Sequence, residues 1–453
     1  MTFINPRGVL PMRFFLFLLV AYGAFSPPSF ADDWPEWLGP NRASEWHEDG
    51  IVEAFPEEGL KVKWRKPVGL GYSGPAVAGG KVFVMDYVPR SGSVNNSPGG
   101  RTRLEGEERI LCFDAGNGHL LWKYAYDRPY RLSYPSGPRC TTTVENGRVY
   151  ALGAEGTLSC LAADTGKLLW QRELTDEYDT TSPLWGFAAH PLIDGELLYT
   201  LAGGEGSLVV ALDKKSGKEI WRSLSARSQG YCPPTMITLA GKKQLVIWHP
   251  ESINGLDPVT GKLKWSVPLE PDYDMSIAAP RLIEDKLFAS GIGQVGVLLQ
   301  LDPNQETAEV LWRGKAKDAL YSVNATPYVE DDMIYGVDGQ SGALIGAQLD
   351  DGKRLWSTNR PTSGSKRREK QATAFLVKHQ DRFFLFSETG DLILARLTRA
   401  GYEELDRFHV LEPTGECFGR EVVWNHPAFA ERCMFVRNDK ELVCVDLAKE
   451  SSD

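Results

Sequence analysis

A tryptophan recurs every 44–51 residues along most of this chain, at Trp122, Trp170, Trp221, Trp265, Trp312 and Trp356. Five of the six stand four residues after a glycine: Gly118, Gly166, Gly217, Gly261 and Gly352. Upstream, a Pro or Thr is followed two residues later by an apolar side chain and eight residues later by an aromatic one. Pro75/Val77/Phe83, Thr142/Val144/Tyr150, Pro191/Ile193/Tyr199, Pro280/Leu282/Phe288, Pro327/Val329/Tyr335 and Pro427/Phe429/Phe435 all fit. Turn formers such as Gly79-Gly80, Asn146-Gly147 and Asp194-Gly195 lie between those positions, so each signature is a two-strand hairpin. A unit therefore reads as four antiparallel strands, with the tryptophan on the last. A repeat of this length and content is a propeller blade, which cannot bury both faces alone and must stack on its neighbours.

The pattern predicts an all-β chain, an eight-bladed β-propeller of four-stranded antiparallel blades over residues 60–447. Forty-five Gly and 28 Pro, with 13 Trp, 19 Phe and 16 Tyr, favour short strands and tight turns. Seven units are complete between Tyr72 and His409; the eighth, Trp424 to Leu447, supplies three strands. The missing outer strand is expected at Leu60–Val68, where Trp64 fills the repeat position, so that the N-terminus closes the ring and leaves no exposed sheet edge. Seven blades, or an open solenoid, are the alternatives. A polar insertion between Tyr87 and Arg109 is expected to form a mobile surface loop in the first blade.

The ends and the charge narrow the setting. Residues 1–31 read as a signal peptide: Arg13, the apolar run Phe14–Phe25, then Ser29-Phe30-Ala31 with cleavage before Asp32. That run is shorter than the roughly 20 apolar residues of a transmembrane helix, so the expectation is a periplasmic or secreted protein without a transmembrane anchor. Residues 32–59 form an N-terminal extension and 448–453 a tail. With 50 Lys and Arg against 60 Asp and Glu, the chain carries a formal charge of −10 and no basic stripe, which argues against nucleic acid as a partner.

The segment Ala211-Leu212-Asp213-Lys214-Lys215-Ser216-Gly217-Lys218-Glu219-Ile220-Trp221 resembles the tryptophan-docking motif of quinoprotein (PQQ-type) β-propellers, with weaker copies ending at Trp122, Trp170 and Trp265. Trp34-Pro35-Glu36-Trp37-Leu38-Gly39-Pro40-Asn41-Arg42 resembles the opening of secreted bacterial PQQ-like propeller proteins. The resemblance implies the PQQ-like, BamB-like propeller fold. That fold serves both dehydrogenases and non-catalytic scaffolds, so it does not carry a function. The dehydrogenases it resembles hold PQQ under a disulfide between adjacent cysteines, beside calcium. The seven cysteines here, at 112, 140, 160, 232, 417, 433 and 444, include no adjacent pair. No cofactor is therefore expected, with PQQ and calcium as the alternative.

Residues leading into the innermost strands should converge at one mouth of the channel. The repeat alignment places Tyr72, Arg139, Trp185, Tyr231, Asn324 and Trp424 there, with His190 and His426 at equivalent positions of the third and eighth units. Aromatics with an arginine and an amide suit a peptide, a glycan or a small ligand; a metal would need a third donor beside the two histidines. Glu155, Glu205 and Asp338, the nearest acids, fall in hairpin turns, where solvation accounts for them. Cys112, Cys160 and Cys444 share a repeat position and read as apolar fillers. A two-residue turn at Asn438-Asp439 would set Cys433 opposite Cys444, a candidate disulfide. The reading is a monomeric, exported, non-catalytic binding or scaffold module for envelope proteins or a glycan, the alternative being a quinone- or metal-dependent oxidoreductase.

Overall fold

The computed structural model describes residues 1–3, 32–315, 317–364 and 368–450; the expected signal peptide lies outside them, apart from its first three residues. Eight four-stranded antiparallel sheets follow one another along the chain. Blades one to seven begin at Ala76, Thr143, Leu192, Thr235, Arg281, Tyr328 and Ala374 and end at Asp127, Glu173, Ser223, Pro268, Arg313, Thr358 and His409. Blade eight takes Ala428–Ala430, Cys433–Arg437 and Glu441–Asp446 from the C-terminus, and its outer strand, Val62–Pro67, from the N-terminus. Trp64 pairs with Cys444 and Lys66 with Leu442 across that seam. The ring is thus eight-bladed and closed by the N-terminal strand.

The tryptophan–glycine spacing follows from how one blade meets the next. The indole Nε1 of Trp64 donates to Ala115 O, that of Trp122 to Ala163 O, that of Trp221 to Pro258 O and that of Trp312 to Leu349 O, each acceptor lying one blade further on. The same rings lie flat against the next blade's turn glycine. A Cβ added to Gly118 would come within 2.7 Å of Trp64, and one added to Gly166 or Gly261 within 2.5 Å of Trp122 or Trp221. These glycines also adopt left-handed φ, near 70°, so any side chain there would be both strained and obstructed. Trp265 departs from the rule and donates to Gln244 Oε1 of its own blade.

Three expectations are corrected. The Tyr87–Arg109 insertion is mostly strand: Lys81–Ser91 and Thr102–Asp114 form one long hairpin, with Tyr130–Leu132 added at its far end. Buried Glu108 ties it down, accepting from the hydroxyls of Tyr126 and Tyr130 and from Ala154 N, while Tyr130 stacks on Tyr87 at 4.0 Å. The Cys433–Cys444 register is two residues off. Asn438 Oδ1 accepts from both Lys440 N and Glu441 N, which widens the turn, so that Phe435 faces Cys444; the Cys433 and Cys444 thiols meet diagonally in a hydrogen bond, and all seven cysteines are free. Asp338 is not a solvated turn acid but buried, paired with Arg354 at 2.8 Å and accepting from Ser341. Among the described residues no helix is long and apolar enough to cross a membrane.

Candidate functional site: an axial cup and its plug

Every blade begins with a short extended approach to its innermost strand, and these approaches build the site. The residue four before that strand is Tyr72, Arg139, Ala188, Tyr231, Ile277, Asn324 and Trp424 in blades one to six and eight; blade seven offers Gln371, three before. All eight line one cavity, so it sits on the ring axis. The residue two before is His190 in blade three, Pro233 in blade four, Thr326 in blade six and His426 in blade eight, and these line it too. In extended backbone, residues two apart point the same way, so the cup has two tiers. Trp185 and Tyr134, from the loops between, complete the wall. All eight residues expected at the channel mouth line this cavity. Tyr134, Ile277, Met275 and Gln371 were missed, although the four-residue offset finds Ile277 and nearly finds Gln371. Of the acids expected nearest the mouth, Glu155 accepts from Arg131 N and Ser182 Oγ, and Glu205 is exposed.

The N-terminal extension closes the channel from one side. Its Trp37 lies against the inner tier of three blades: it stacks on His190 at 4.7 Å, meets His426 edge-on at 5.7 Å and packs against Ala279. From Trp34 to Trp46 this segment touches every blade in turn. Trp34 bridges to Val77 of blade one, and Pro35 O accepts from Val144 N of blade two. Buried Arg42 pairs with Glu36 at 2.7 Å and donates to the carbonyls of His190, Pro191 and Pro234 in blades three and four. Arg281 of blade five donates to Arg42 O, and Tyr328 of blade six to Glu45. Trp46 reaches Lys378 O of blade seven and packs on Phe429 of blade eight. The Trp-Pro-x-Trp-x-Gly-Pro-x-Arg sequence is therefore a hub plug, a role its sequence signature does not reveal.

The cup's electrostatics are simple. Arg139 donates to the carbonyls of Trp185 (2.7 Å), Ser133 (2.9 Å), Tyr134 (2.5 Å) and Gly137, lies over the Tyr72 ring at 5.2 Å, and has no carboxylate partner among the described residues. Among the described residues no Asp or Glu lines the cup. Burial, with Arg42 nearby, holds the His190 imidazole neutral, well below its usual pKa; its Nδ1 accepts from Thr141 N at 3.0 Å. Burial lowers His426 to about 3. The cup thus presents one fixed positive charge among six aromatic rings. Its cavity volume is about 200 Å³, room for about six waters at roughly 30 Å³ each.

Calcium with PQQ does not fit this lining, because calcium takes six to eight oxygen ligands, chiefly carboxylates, and the described cup residues offer amide and hydroxyl oxygens but no carboxylate. Among the described residues no three His, Cys, Asp or Glu side chains stand together as a metal site.

A family model described as outer membrane protein assembly factor BamB matches residues 106–358 and 283–452. The BamB of Yersinia pestis is 22% identical over 221 residues, 46% of this chain and 53% of that protein. A quinohemoprotein alcohol dehydrogenase of Pseudomonas putida is 26% identical over 134 residues, 28% of this chain and 18% of its own length. The chain thus spans about half the length of the BamB relatives it matches. Among solved structures, BamB from Moraxella catarrhalis superposes with a TM-score of 0.55 at 15% identity, covering 87% of this chain and 99% of that one. The quinohemoprotein alcohol dehydrogenase of Comamonas testosteroni reaches 0.58 at 14%, covering 93% and 81%. With a family model spanning most of its length and a ring of eight matching blades, the chain belongs to the BamB family of PQQ-like β-propellers.

Proposed function

We propose that this protein is an exported, monomeric, non-catalytic propeller of the cell envelope, processed before Asp32, whose axial cup binds a compact ring-bearing ligand. Its BamB relatives are named as outer membrane protein assembly factors, and a scaffold role toward envelope proteins is the reading they support. The observation that carries ligand binding is Arg139: a guanidinium fixed by four carbonyls, unpaired with any acid, in a wall of aromatic rings. Such a site favours a flat ring that stacks on Trp185 or Trp424 and offers an acceptor or a carboxylate to the cation. Nothing among the described residues of the cup resembles an acid–base pair: both histidines are held neutral and no carboxylate lines the cup beside them.

The test is a fluorescence and thermal-shift titration of the purified protein with small cyclic carboxylates and monosaccharides, repeated on Trp424→Ala. Saturable quenching that weakens in the variant, without a large fall in Tm, supports the cup as the site. Dye reduction with an alcohol in the presence of PQQ and calcium would overturn the non-catalytic reading.

A further inference from the structure

Beside the cup lies a second, wider depression over blades three and four. Trp185 and Tyr231 form the shared wall, in contact edge to face at 5.7 Å. Met275 and Ile277 line the cup, whereas Tyr273 and Asp274, immediately before them, line the groove. Tyr273 is 74% exposed, the largest exposure of any aromatic in the folded ring. It is held there against the backbone's preference: Tyr273 and Asp274 both have φ of 60°, a left-handed conformation that is strained for a non-glycine residue. Asp274 anchors the turn, accepting from Arg227 Nε at 2.8 Å and from Ser228 Oγ at 3.2 Å.

The rest of the groove is polar: hydroxyls, an amide, carboxylates and two guanidiniums, Arg101 held on the carbonyls of Arg131 and Ser182, and Arg227 ion-paired with Asp274 and Glu270. Thr181 and Ser225 are exposed, and Gly203 and Gly204 leave its floor without side chains. The carboxylates of Asp179 and Glu205 line it with no hydrogen-bond or ion-pair partner among the described residues. An exposed aromatic platform flanked by free acceptors matches the two faces of a pyranose, whose C–H groups stack on a ring while its hydroxyls donate at the edge. Peptide grooves instead offer an unpaired sheet edge or apolar side-chain pockets. Four carboxylates, Asp179, Glu205, Glu251 and Asp274, outnumber the groove's two guanidiniums in a chain of net charge −10, which disfavours acidic polysaccharides.

We infer that the groove between Tyr273 and Trp185 binds a neutral oligosaccharide whose terminal ring enters the axial cup. This rests on the cup reading above and assigns its ligand class. Isothermal titration of the full chain with the glucose hexamers in β-1,4 and α-1,4 linkage, the β-1,4 N-acetylglucosamine hexamer, the matching monosaccharides and a lysine-containing hexapeptide tests it. At least one hexamer should bind at least tenfold more tightly than its monosaccharide. Tyr273→Ala should remove about tenfold of the hexamer's affinity, leave the monosaccharide's unchanged and leave Tm unmoved. Asp179→Asn with Glu205→Gln should weaken the hexamer several-fold. Monosaccharide binding without any gain from chain length, or hexamer binding indifferent to Tyr273→Ala, would overturn the groove and leave the cup standing. Failure of every sugar would overturn the carbohydrate class, and hexapeptide binding lost in Tyr273→Ala would replace it with a peptide.

Discussion

Replacing Trp37 with alanine separates the plug's two jobs, holding the hub together and flooring the cup. A Trp→Ala change in a closed core costs about 3–5 kcal/mol. Two features of Trp37 reduce that figure. Its Nε1 is buried without a hydrogen-bond partner, so the substitution removes an orphan donor whose burial costs about 1–3 kcal/mol. One side of the ring also faces the open cup, so water fills the vacated space and no empty cavity remains. The expected net cost is about 1–3 kcal/mol. Trp221, in contrast, is enclosed between blades and donates to Pro258 O at 3.1 Å; Trp221→Ala should cost the full 3–5 kcal/mol or more. For a unit the size of residues 32–453, an unfolding entropy of about 2.1 cal/mol/K per residue makes 1 kcal/mol worth about 1 °C in Tm. Trp37→Ala should therefore lower Tm by about 1–3 °C, and Trp221→Ala by at least about 3–5 °C. Losing the stacked indole also hydrates His190, whose imidazole pKa should rise toward its ordinary value in an NMR titration. Equal Tm losses, or a His190 titration that does not move, would refute the plug assignment.

Other consequences follow from buried charge and from register. Arg42→Ala leaves Glu36 and three carbonyls without their donor and should destabilise by about 3–5 kcal/mol; with Glu36→Ala added, urea midpoints should show less than the sum of the two losses. Intact mass should be the same with and without reductant, since the Cys433 and Cys444 thiols, diagonal rather than opposite on the hairpin, are hydrogen-bonded to each other but not bridged. Acid should weaken the fold from about pH 6.5 downward. His379, buried between Trp46 and Phe384 with both ring nitrogens unpartnered, is lowered to about 4 by desolvation and by Arg382, and His426 to about 3. A depressed histidine contributes stability that is present above its unfolded pKa, near 6.5, and lost as pH falls toward the folded value. His379→Phe should flatten the fall between pH 6.5 and 4.5 by up to about 3 kcal/mol. Glu108, raised by desolvation, works the other way, its contribution complete below the usual carboxylate range and lost as pH rises through its folded pKa.

The fold was legible because its determinants are local and repeated. A glycine four residues before a tryptophan states, in one short segment, both a tight turn and the ring that lies on the next blade's turn. Five copies of that weak signal, with six of the hairpin signature, fix a ring that one copy could not. Misreadings came where a single side chain overrides the repeat. Asn438 reshaped one turn through its own amide oxygen, which moved Cys444 from Cys433 to Phe435. Glu108 converted a polar insertion into a strand by burying its carboxylate between two tyrosines. Neither effect has a period.

The same distinction separates what could be read of the site from what could not. The cup's upper tier lies at a constant offset from each innermost strand, so the repeat alignment delivers it, histidines of the lower tier included. The plug belongs to no repeat: Trp37 and Arg42 act by reaching carbonyls and rings more than a hundred residues away, on blades three to eight. The groove is hidden for a further reason, since its central feature is a conformation. A tyrosine between two aspartates reads as an ordinary loop; only the left-handed backbone at Tyr273 and Asp274 turns it outward beside Trp185. Eightfold repetition supplies a symmetric ring, and such a ring is indifferent to its ligand. Specificity has to enter where the repeat is broken, and here the breaks, the plug below the axis and the strained turn above blade four, are the parts that give the cup a floor and a side entrance.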